Sequence, residues 1–448
     1  MKNSTDHLHI AVGAALLAVS VSACSASPPD ESSNKTPQVS ASTTLNLTST
    51  SDVSMVAAEA EKQNYLNNYV RPDTIRHSFH AHEGVWIDCV DVNRQPSMLT
   101  PQMAGKTIDQ PPPLPTALPL AAGHQWARLD IEDHANEVDE NSNARHCDPG
   151  TVPIRRTTAA DLARFATLHD FFAKGPNRAL QGESSNPSYK PPSNAGFEYG
   201  REYQFVTNWG MQSFINLWNP YVQTAPEHSI SQIWVANNCC NSNQETAEAG
   251  WTVDPGKFGD NNTHFFIYWT NDNYQSTGCY DLDCVGFVQT DHSVTPGVYF
   301  STISSDGGTQ YVVELSWEKS SSTSNWWLLW QGTTWLGYYP TSQYTHGMAT
   351  QASFTGYGGE VYNSEPGGRH TSTQMGSGQL ASAWWQHAAY QRHLQYINTN
   401  YNTIDVSPTS QVNNANCYSM SNGYDGTGDG WGAYEFFGGP GYNATNCP

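Results

Sequence analysis

Along the second half of the chain, hydrophobic and polar residues alternate with a period of two. Between Gln310 and Glu318, Tyr311, Val313, Leu315 and Trp317 point one way, while Val312, Glu314, Ser316 and Glu318 point the other. Phe265, Ile267 and Trp269 alternate in the same manner, as do Ile215 and Leu217. Gly-rich turns such as Asp306-Gly307-Gly308 and Gly438-Gly439-Pro440-Gly441 separate the runs. Many short strands with turn signals and no interleaved helices predict an antiparallel β-sandwich or barrel from about Gly196 onward. Leu380 to Gln395 reads two ways, as a helix on composition or as a loop running into a strand.

The first half is mixed. Ala57 to Tyr69 has helical composition, and Thr158-Ala-Ala-Asp161 resembles a capping box with Asp in place of Glu or Gln. Leu162, Phe165, Leu168 and Phe172 then recur at spacings of three to four, predicting one helix with an apolar face. Residues 176–195 (GPNRALQGESSNPSYKPPSN) hold almost nothing to bury and predict an exposed linker, the kind of segment proteases cut. At the N-terminus, an apolar run from Ile10 to Ala23 is too short to span a membrane and reads as an export signal. It ends Val21-Ser22-Ala23-Cys24, which looks like a bacterial lipobox with Cys24 as the lipidated residue. The expected organisation is therefore a signal over 1–24, a Ser/Thr/Asn/Pro-rich tether over 25–52, a small mixed α/β domain over 53–175, the linker, and an all-β domain over 196–448. On this reading the product is exported, either secreted or held at the cell envelope through Cys24 like an outer-membrane lipoprotein.

Charge narrows the function. The 448 residues carry a formal net charge of -21, which argues against a nucleic-acid partner, because phosphate binding needs clustered Lys and Arg. From Gly196 onward the basic residues are Arg201, Lys257, Lys319, Arg369 and Arg392, against about twenty Asp and Glu. Such a surface repels itself at neutral pH and sheds the excess charge in acid, which suits work in an acidic medium. Setting Cys24 aside, the cysteines are 89, 147, 239, 240, 279, 284, 417 and 447, an even set that reads as disulfides on an exported chain. Cys89 and Cys147 are the two in the N-terminal half and are expected to pair. Cys279 and Cys284 are close enough for a short loop. Adjacent Cys239 and Cys240 either form a vicinal bridge or stay reduced. Zinc is the rival reading, but Cys-x2-Cys and His-x3-His spacings do not accompany these cysteines.

No G-x-S-x-G elbow, His-Glu-x-x-His pair or phosphate-cradling loop is present. Ser377, between glycines, has the spacing of a turn rather than of an elbow, and His77, His80, His82 and Glu83 form a weak metal-like cluster outside the strand-rich half. Two glutamates carry more chemistry. Glu248 lies in Ala-Glu-Ala-Gly-Trp251 and Glu360 in Gly358-Gly-Glu-Val-Tyr362, settings that predict partial burial. Burial raises a carboxyl pKa, and two carboxyls in one cleft resist ionising together. One charged and one protonated carboxyl is the acid/base split that hydrolysis by water requires. The glycines beside Glu360 would let a substrate backbone approach, which favours Glu360 as the base.

From about Gly84 to the C-terminus the chain resembles the neprosin family of glutamic peptidases. Gly84-Val-Trp-Ile-Asp-Cys89-Val and Cys147-Asp-Pro-Gly-Thr-Val-Pro-Ile-Arg-Arg-Thr157 look like its activation peptide. Ser231-Gln-Ile-Trp234, Glu248-Ala-Gly-Trp251, Gly259-Asp-Asn-Asn-Thr263, Gly358-Gly-Glu360-Val and His370-Thr-Ser-Thr-Gln-Met-Gly-Ser-Gly378 look like its catalytic part. The resemblance implies an antiparallel β-sandwich, catalytic glutamates at Glu248 and Glu360, and paired cysteines at Cys279 with Cys284 and at Cys417 with Cys447. It also implies peptide-bond hydrolysis in acid after proline, without cofactor or metal, by a monomer made as a self-cleaving precursor and acting on Pro-rich protein or peptide substrates. The bacterial-type export signal and the Cys239-Cys240 doublet depart from the plant pattern. Two other functions also fit two carboxylates and many aromatics: a β-sandwich glycoside hydrolase, and a non-catalytic carbohydrate-binding lipoprotein.

Overall fold

Two large antiparallel sheets face each other across a core that is mostly aliphatic and aromatic. The computed structural model describes residues 50–82, 84–174, 196–239, 242–365, 369–426 and 430–448, with 50–53 by backbone alone. The export segment, Cys24, most of the tether, the linker and Cys240 lie outside the described residues. The strands are β1 (Ile75–His82), β2 (Val85–Asp91), β3 (His124–Trp126), β4 (Thr151–Arg155), β5 (Gly196–Asn208), β6 (Gly210–Asn216), β7 (His228–Asn237), β8 (Glu245–Val253), β9 (His264–Thr270), β10 (Val288–Gln289), β11 (Gln310–Lys319), β12 (Trp326–Trp330), β13 (Thr334–Tyr339), β14 (Ala352–Asn363), β15 (Ala389–Ile397), β16 (Thr403–Asp405), β17 (Thr409–Val412), β18 (Ser419–Asp425) and β19 (Gly432–Gly438).

One sheet runs β10-β13-β12-β11-β6-β15-β19-β18 with β16 beside β15 and β3 beside β11, and the other runs β17-β5-β14-β7-β8-β9. Period-two alternation puts Val313, Leu315 and Trp317 of the first sheet against Ile233, Val235, Ala247, Ala249, Trp251 and Ile267 of the second, all fully buried. This is the β-sandwich the alternation predicts. Hydrogen bonds tie the layers: the Trp251 indole N–H donates to the Asn216 carbonyl at 2.9 Å, and the Tyr357 hydroxyl to that of Gln395 at 2.7 Å. The Leu380–Gln395 stretch resolves as a short turn, Ala381–Ala383, followed by β15.

The N-terminal region contributes a helix, Thr50–Asn68, which starts ahead of the expected Ala57, and a small sheet β1-β2-β4. Disulfides join Cys89 to Cys147, Cys279 to Cys284 and Cys417 to Cys447, as suits an exported chain. The single helix expected through Phe172 is two short ones, Ala159–Ala163 and Leu168–Phe172. A second capping box causes the break: Thr167 and Asp170 exchange side-chain to backbone hydrogen bonds, as Thr158 and Asp161 do at the first helix. The apolar positions still converge, with Leu162, Phe165, Leu168 and Phe171 packing around Tyr65.

Three links seat this region on the sandwich. β3 pairs in parallel with the start of β11, and the Tyr65 and Tyr69 hydroxyls donate to the carbonyls of Asp283 and Leu282, each at 2.7 Å. The Lys257 ammonium donates to the Phe171 carbonyl at 2.9 Å while paired with Asp283 at 2.6 Å.

Two opposed groups of acids set the pH range of this fold. Burial pushes Glu314 and Glu318 up to about 7 and raises Glu435, beside Glu202, and Asp281, beside Asp283. Burial also acts on Asp161 and Asp260, but Arg155 and the Thr158 amide for the first, and His264 for the second, prevail and hold both at about 2. The raised acids keep protons that the unfolded chain releases above pH ~4.5, so stability falls as pH climbs from there toward 7. The depressed acids lose their contribution as pH falls from ~4 through 2. His124 and His393, lowered to about 4 by burial and Arg392, oppose the first trend but are fewer. Thermal melts of the full chain are expected to show a maximum near pH 4 to 5, with Tm at pH 7.5 lower by about 5 °C. A maximum at pH 7 or above would contradict this balance.

Candidate active site

Strand register brings the two glutamates to one face. β7 lies between β14 and β8: Glu360 stands opposite Ile230, and Trp234 stands opposite Glu248. Ile230, Gln232 and Trp234 share a side of β7, so Glu248, Glu360, Gln232 and Trp234 all project from the sheet face opposite the core. Both glutamates are buried there, Glu248 at 0% exposure and Glu360 at 3%.

A side chain from the N-terminal region joins them. Lys174, two residues beyond the Leu168–Phe172 helix and itself buried, places its ammonium 2.6 Å from Glu248 Oε2 and 3.3 Å from Glu360 Oε1. It also donates to Gln232 Oε1 at 3.2 Å, and the Gln232 amide donates to Glu360 Oε2 at 3.3 Å. The other oxygen of Glu248 accepts from the Tyr274 hydroxyl at 2.6 Å and from Thr246 at 2.8 Å. Tyr274 is delivered by a loop in which the Asp272 carboxylate accepts from the amides of Gln275, Ser276 and Thr277. Within that loop Asn273 and Tyr274 both adopt left-handed backbone, φ 59°. His228 Nε2 lies 3.4 Å from Glu360 Oε1 without hydrogen-bond alignment.

The electrostatics differ from the sequence expectation of a carboxyl raised by burial. Burial pushes Glu360 up, but Lys174 and His228 together prevail and hold it at about 2. Burial likewise disfavours the Lys174 ammonium, and the two carboxylates outweigh it and raise the group above its ordinary value. The neighbouring phenols of Tyr199, Tyr268 and Tyr274 are raised, first by burial and then by the adjacent carboxylates. The glycines beside Glu360 also have another role. A Cβ on Gly359 would sit 2.7 Å from Met375 Sδ and from Phe437, and one on Gly358 would sit 2.6 Å from the Gly200 carbonyl. They allow close packing beneath the strand, so they give no reason to favour Glu360 as base.

Glu360, Lys174 and Gln232 line a cleft of about 310 Å³ together with Tyr199, Arg201, Trp234, Asn273, Tyr274 and Cys239. Arg201 is stacked 4.0 Å over the Tyr199 ring and 5.1 Å from Trp234. His77, His80 and His82 go to separate partners, the Ala144 carbonyl, Glu140 and Asp130. Among the described residues the group close enough to hold a metal is His370 with Cys417 and Cys447, whose sulfurs are already joined.

The family description "Neprosin" matches residues 225–440, which hold Glu248 and Glu360, and "Neprosin activation peptide" matches residues 78–203, which hold Lys174. The chain carries a neprosin domain with an N-terminal activation peptide. Among solved structures, the domain is similar in outline to scytalido-glutamic peptidase with a peptide-based transition state analog (9% identity, TM-score 0.29, 55% of this chain and 100% of that chain). It is also similar to SCP-B, a member of the Eqolisin family of peptidases in complex with the tripeptide Ala-Ile-His (7% identity, TM-score 0.28, 55% and 100%).

The sequence singles out Glu248 and Glu360, which the fold brings together, but not Lys174, Gln232, Thr246, Tyr274 and His228 beside them. A signal existed for Gln232, a long polar side chain in an apolar strand within a family block. Lys174, at the edge of a linker, carries none. Because Lys174 is the ammonium shared by the two buried carboxylates, Lys174→Met is expected to destabilise the full chain by about 3 kcal/mol at pH 5. Glu360 is depressed, so the pair's contribution is present above pH ~4.5 and lost as pH falls through about 2. The gap between wild-type and variant melts should therefore shrink by pH 2, and a pH-independent gap would speak against the ion pair.

Proposed function

We propose that the chain is a glutamic endopeptidase made as a latent precursor, in which Glu248 and Glu360 drive attack of water on a peptide bond. The observation that carries this reading is a pair of buried carboxylates, in the domain matched as neprosin, bridged by one ammonium from the segment matched as its activation peptide. A structural ion pair needs no such division between a domain and the segment that precedes it.

With Lys174 withdrawn, the two glutamates stop being equivalent. Glu248 Oε1 keeps its two O–H donors, Tyr274 and Thr246, and Oε2 is left to hold a water as general base. Glu360 loses its main cation while burial persists, so it takes up a proton and becomes the acid. Water oxygen adds to the scissile carbonyl carbon as its proton passes to Glu248. The Glu360 hydroxyl donates to the carbonyl oxygen as negative charge develops there. Collapse breaks the C–N bond, and the proton on Glu248 goes to the departing amine. Gln232, between the two, positions Glu360. The aromatic walls at Trp234 and Tyr199 suit a pyrrolidine ring, in keeping with cleavage after proline.

Acid serves twice in this scheme: it loosens the hold of Glu360 on Lys174, and it supplies the protonated partner. A cut in 176–195 then separates the activation portion (53–175) from the catalytic portion (196–448). The precursor is exported, and where Cys24 is lipidated, the same cut frees the catalytic portion from the membrane.

Glu248→Gln and Glu360→Gln are each expected to leave the melting curve near wild type and to lower kcat on a proline-containing fluorogenic peptide at pH 4 by at least 10³-fold, in the range seen when such groups are removed. Lys174→Ala precursor should hydrolyse that peptide at least tenfold faster than wild-type precursor before any chain cleavage is visible on a gel. Full activity in a Glu248→Gln/Glu360→Gln variant, or hydrolysis of a polysaccharide panel in place of the peptide, would end the proposal.

A further inference from the structure

Away from the cleft, the outer face of the ten-stranded sheet carries a second cluster of aromatic side chains. Phe214 on β6, Val312 on β11, Tyr390 on β15 and Phe436 on β19 point away from the inter-sheet core and pack together, with Trp126, Trp385, Trp431 and Tyr434 partly buried against them. The rings form a continuous network: Tyr390 and Trp431 lie 4.9 Å apart, Trp385 and Trp431 5.5 Å, and Trp384 and Phe436 5.0 Å. Between them runs an open groove of about 570 Å³. Trp384 on its rim is 46% exposed and Tyr424 66%. Trp384 holds a left-handed backbone, φ 59°, a conformation that is costly for a bulky residue and persists where the surroundings impose it.

The chain itself shows what this face accepts. Residues 111–120, PPPLPTALPL, run without regular structure toward β3, and Leu118 and Leu120 pack on the cluster of Phe214, Tyr390 and Phe436. We propose that the groove is a second peptide-binding site, outside the catalytic cleft, that docks proline-rich chains in the extended polyproline conformation. Such chains arrive nearly rigid, bare their carbonyls because they make no internal hydrogen bonds, and settle in aromatic grooves that supply N–H donors. Trp385 and Trp431 cross at 83° and Trp384 and Phe436 at 70°, edge-to-face pairs with slots between the rings, while Trp431 and Phe436 lie nearly parallel at 26°. The site would hold a long Pro-rich substrate while its scissile bond is in the cleft; that use rests on the peptidase reading, and the binding does not.

The test uses full-length Glu248→Gln/Glu360→Gln protein, titrated by calorimetry and tryptophan fluorescence with a synthetic peptide of residues 111–120. A counterpart with every proline replaced by alanine, and a panel of plant and bacterial cell-wall oligosaccharides, serve as comparisons. Expected are saturable peptide binding, at least tenfold weaker binding of the alanine counterpart, and at least a tenfold loss on Trp384→Ala or Tyr424→Ala. Val138→Ser, an exposed position outside the linings of both the groove and the cleft, should change nothing, and Leu118→Ser/Leu120→Ser, which loosens the resident segment, should tighten binding. Absence of binding to both the parent and the Leu118→Ser/Leu120→Ser chain would overturn the proposal. So would equal affinity for the alanine counterpart, indifference to Trp384→Ala and Tyr424→Ala, or oligosaccharide binding in place of peptide. Because both glutamates are disabled, a failure here says nothing against hydrolysis in the cleft.

Discussion

Removing a carboxylate from water costs several kcal/mol unless a cation and hydrogen bonds replace the solvent, and this fold buries two of them side by side. The ammonium of Lys174 meets that need from 74 residues upstream of Glu248. Much of the N-terminal region serves to aim that one side chain. The Thr167–Asp170 capping box fixes the start of the short helix before Lys174, and Lys257 grips its last turn through the Phe171 carbonyl. The Tyr65 and Tyr69 hydroxyls anchor the long helix behind it.

The scarcity of cations in the C-terminal half explains why the counter-charge comes from outside it. Of the five basic residues beyond Gly196, Lys257 is paired with Asp283, Lys319 donates to the Ser324 carbonyl, and Arg392 lies over Phe214. Arg369 is at the surface near Glu365, and Arg201 is stacked on Tyr199. None of these five pairs with Glu248 or Glu360; within that half the basic side chain beside them is His228, 3.4 Å from Glu360. An acidic composition, read from sequence as suitability for an acidic medium, thus also determines where the counter-charge of the two glutamates comes from.

Local signals were legible. Alternation over Tyr311–Glu318 placed Val313, Leu315 and Trp317 in the core, and the Thr158–Asp161 box marked a true helix start, because both depend on neighbours a few residues away. The second box at Thr167–Asp170 has the same Thr-x-x-Asp form but sits inside an apolar 3–4 periodicity, which masked it. The glutamates stood out only through the family blocks around them. Their electrostatics were not legible, since burial is a property each residue carries locally, whereas the Lys174 ion pair exists only once the chain has folded back over β8 and β14.

The disulfides divide without crossing. Cys89–Cys147 closes a 58-residue separation wholly within the N-terminal region, while Cys279–Cys284 and Cys417–Cys447 lie wholly within the sandwich. Before cleavage, the tether gives Lys174 an effective concentration in the millimolar range or above at its carboxylates. After one cut in the linker, none of these three bonds retains the activation portion, and its grip becomes an ordinary bimolecular affinity subject to dilution. Under the proposed function, the released piece would rebind and restrain the peptidase in a crowded envelope, and in open fluid it would be lost. The volume into which the protein is exported would then decide whether activation is reversible.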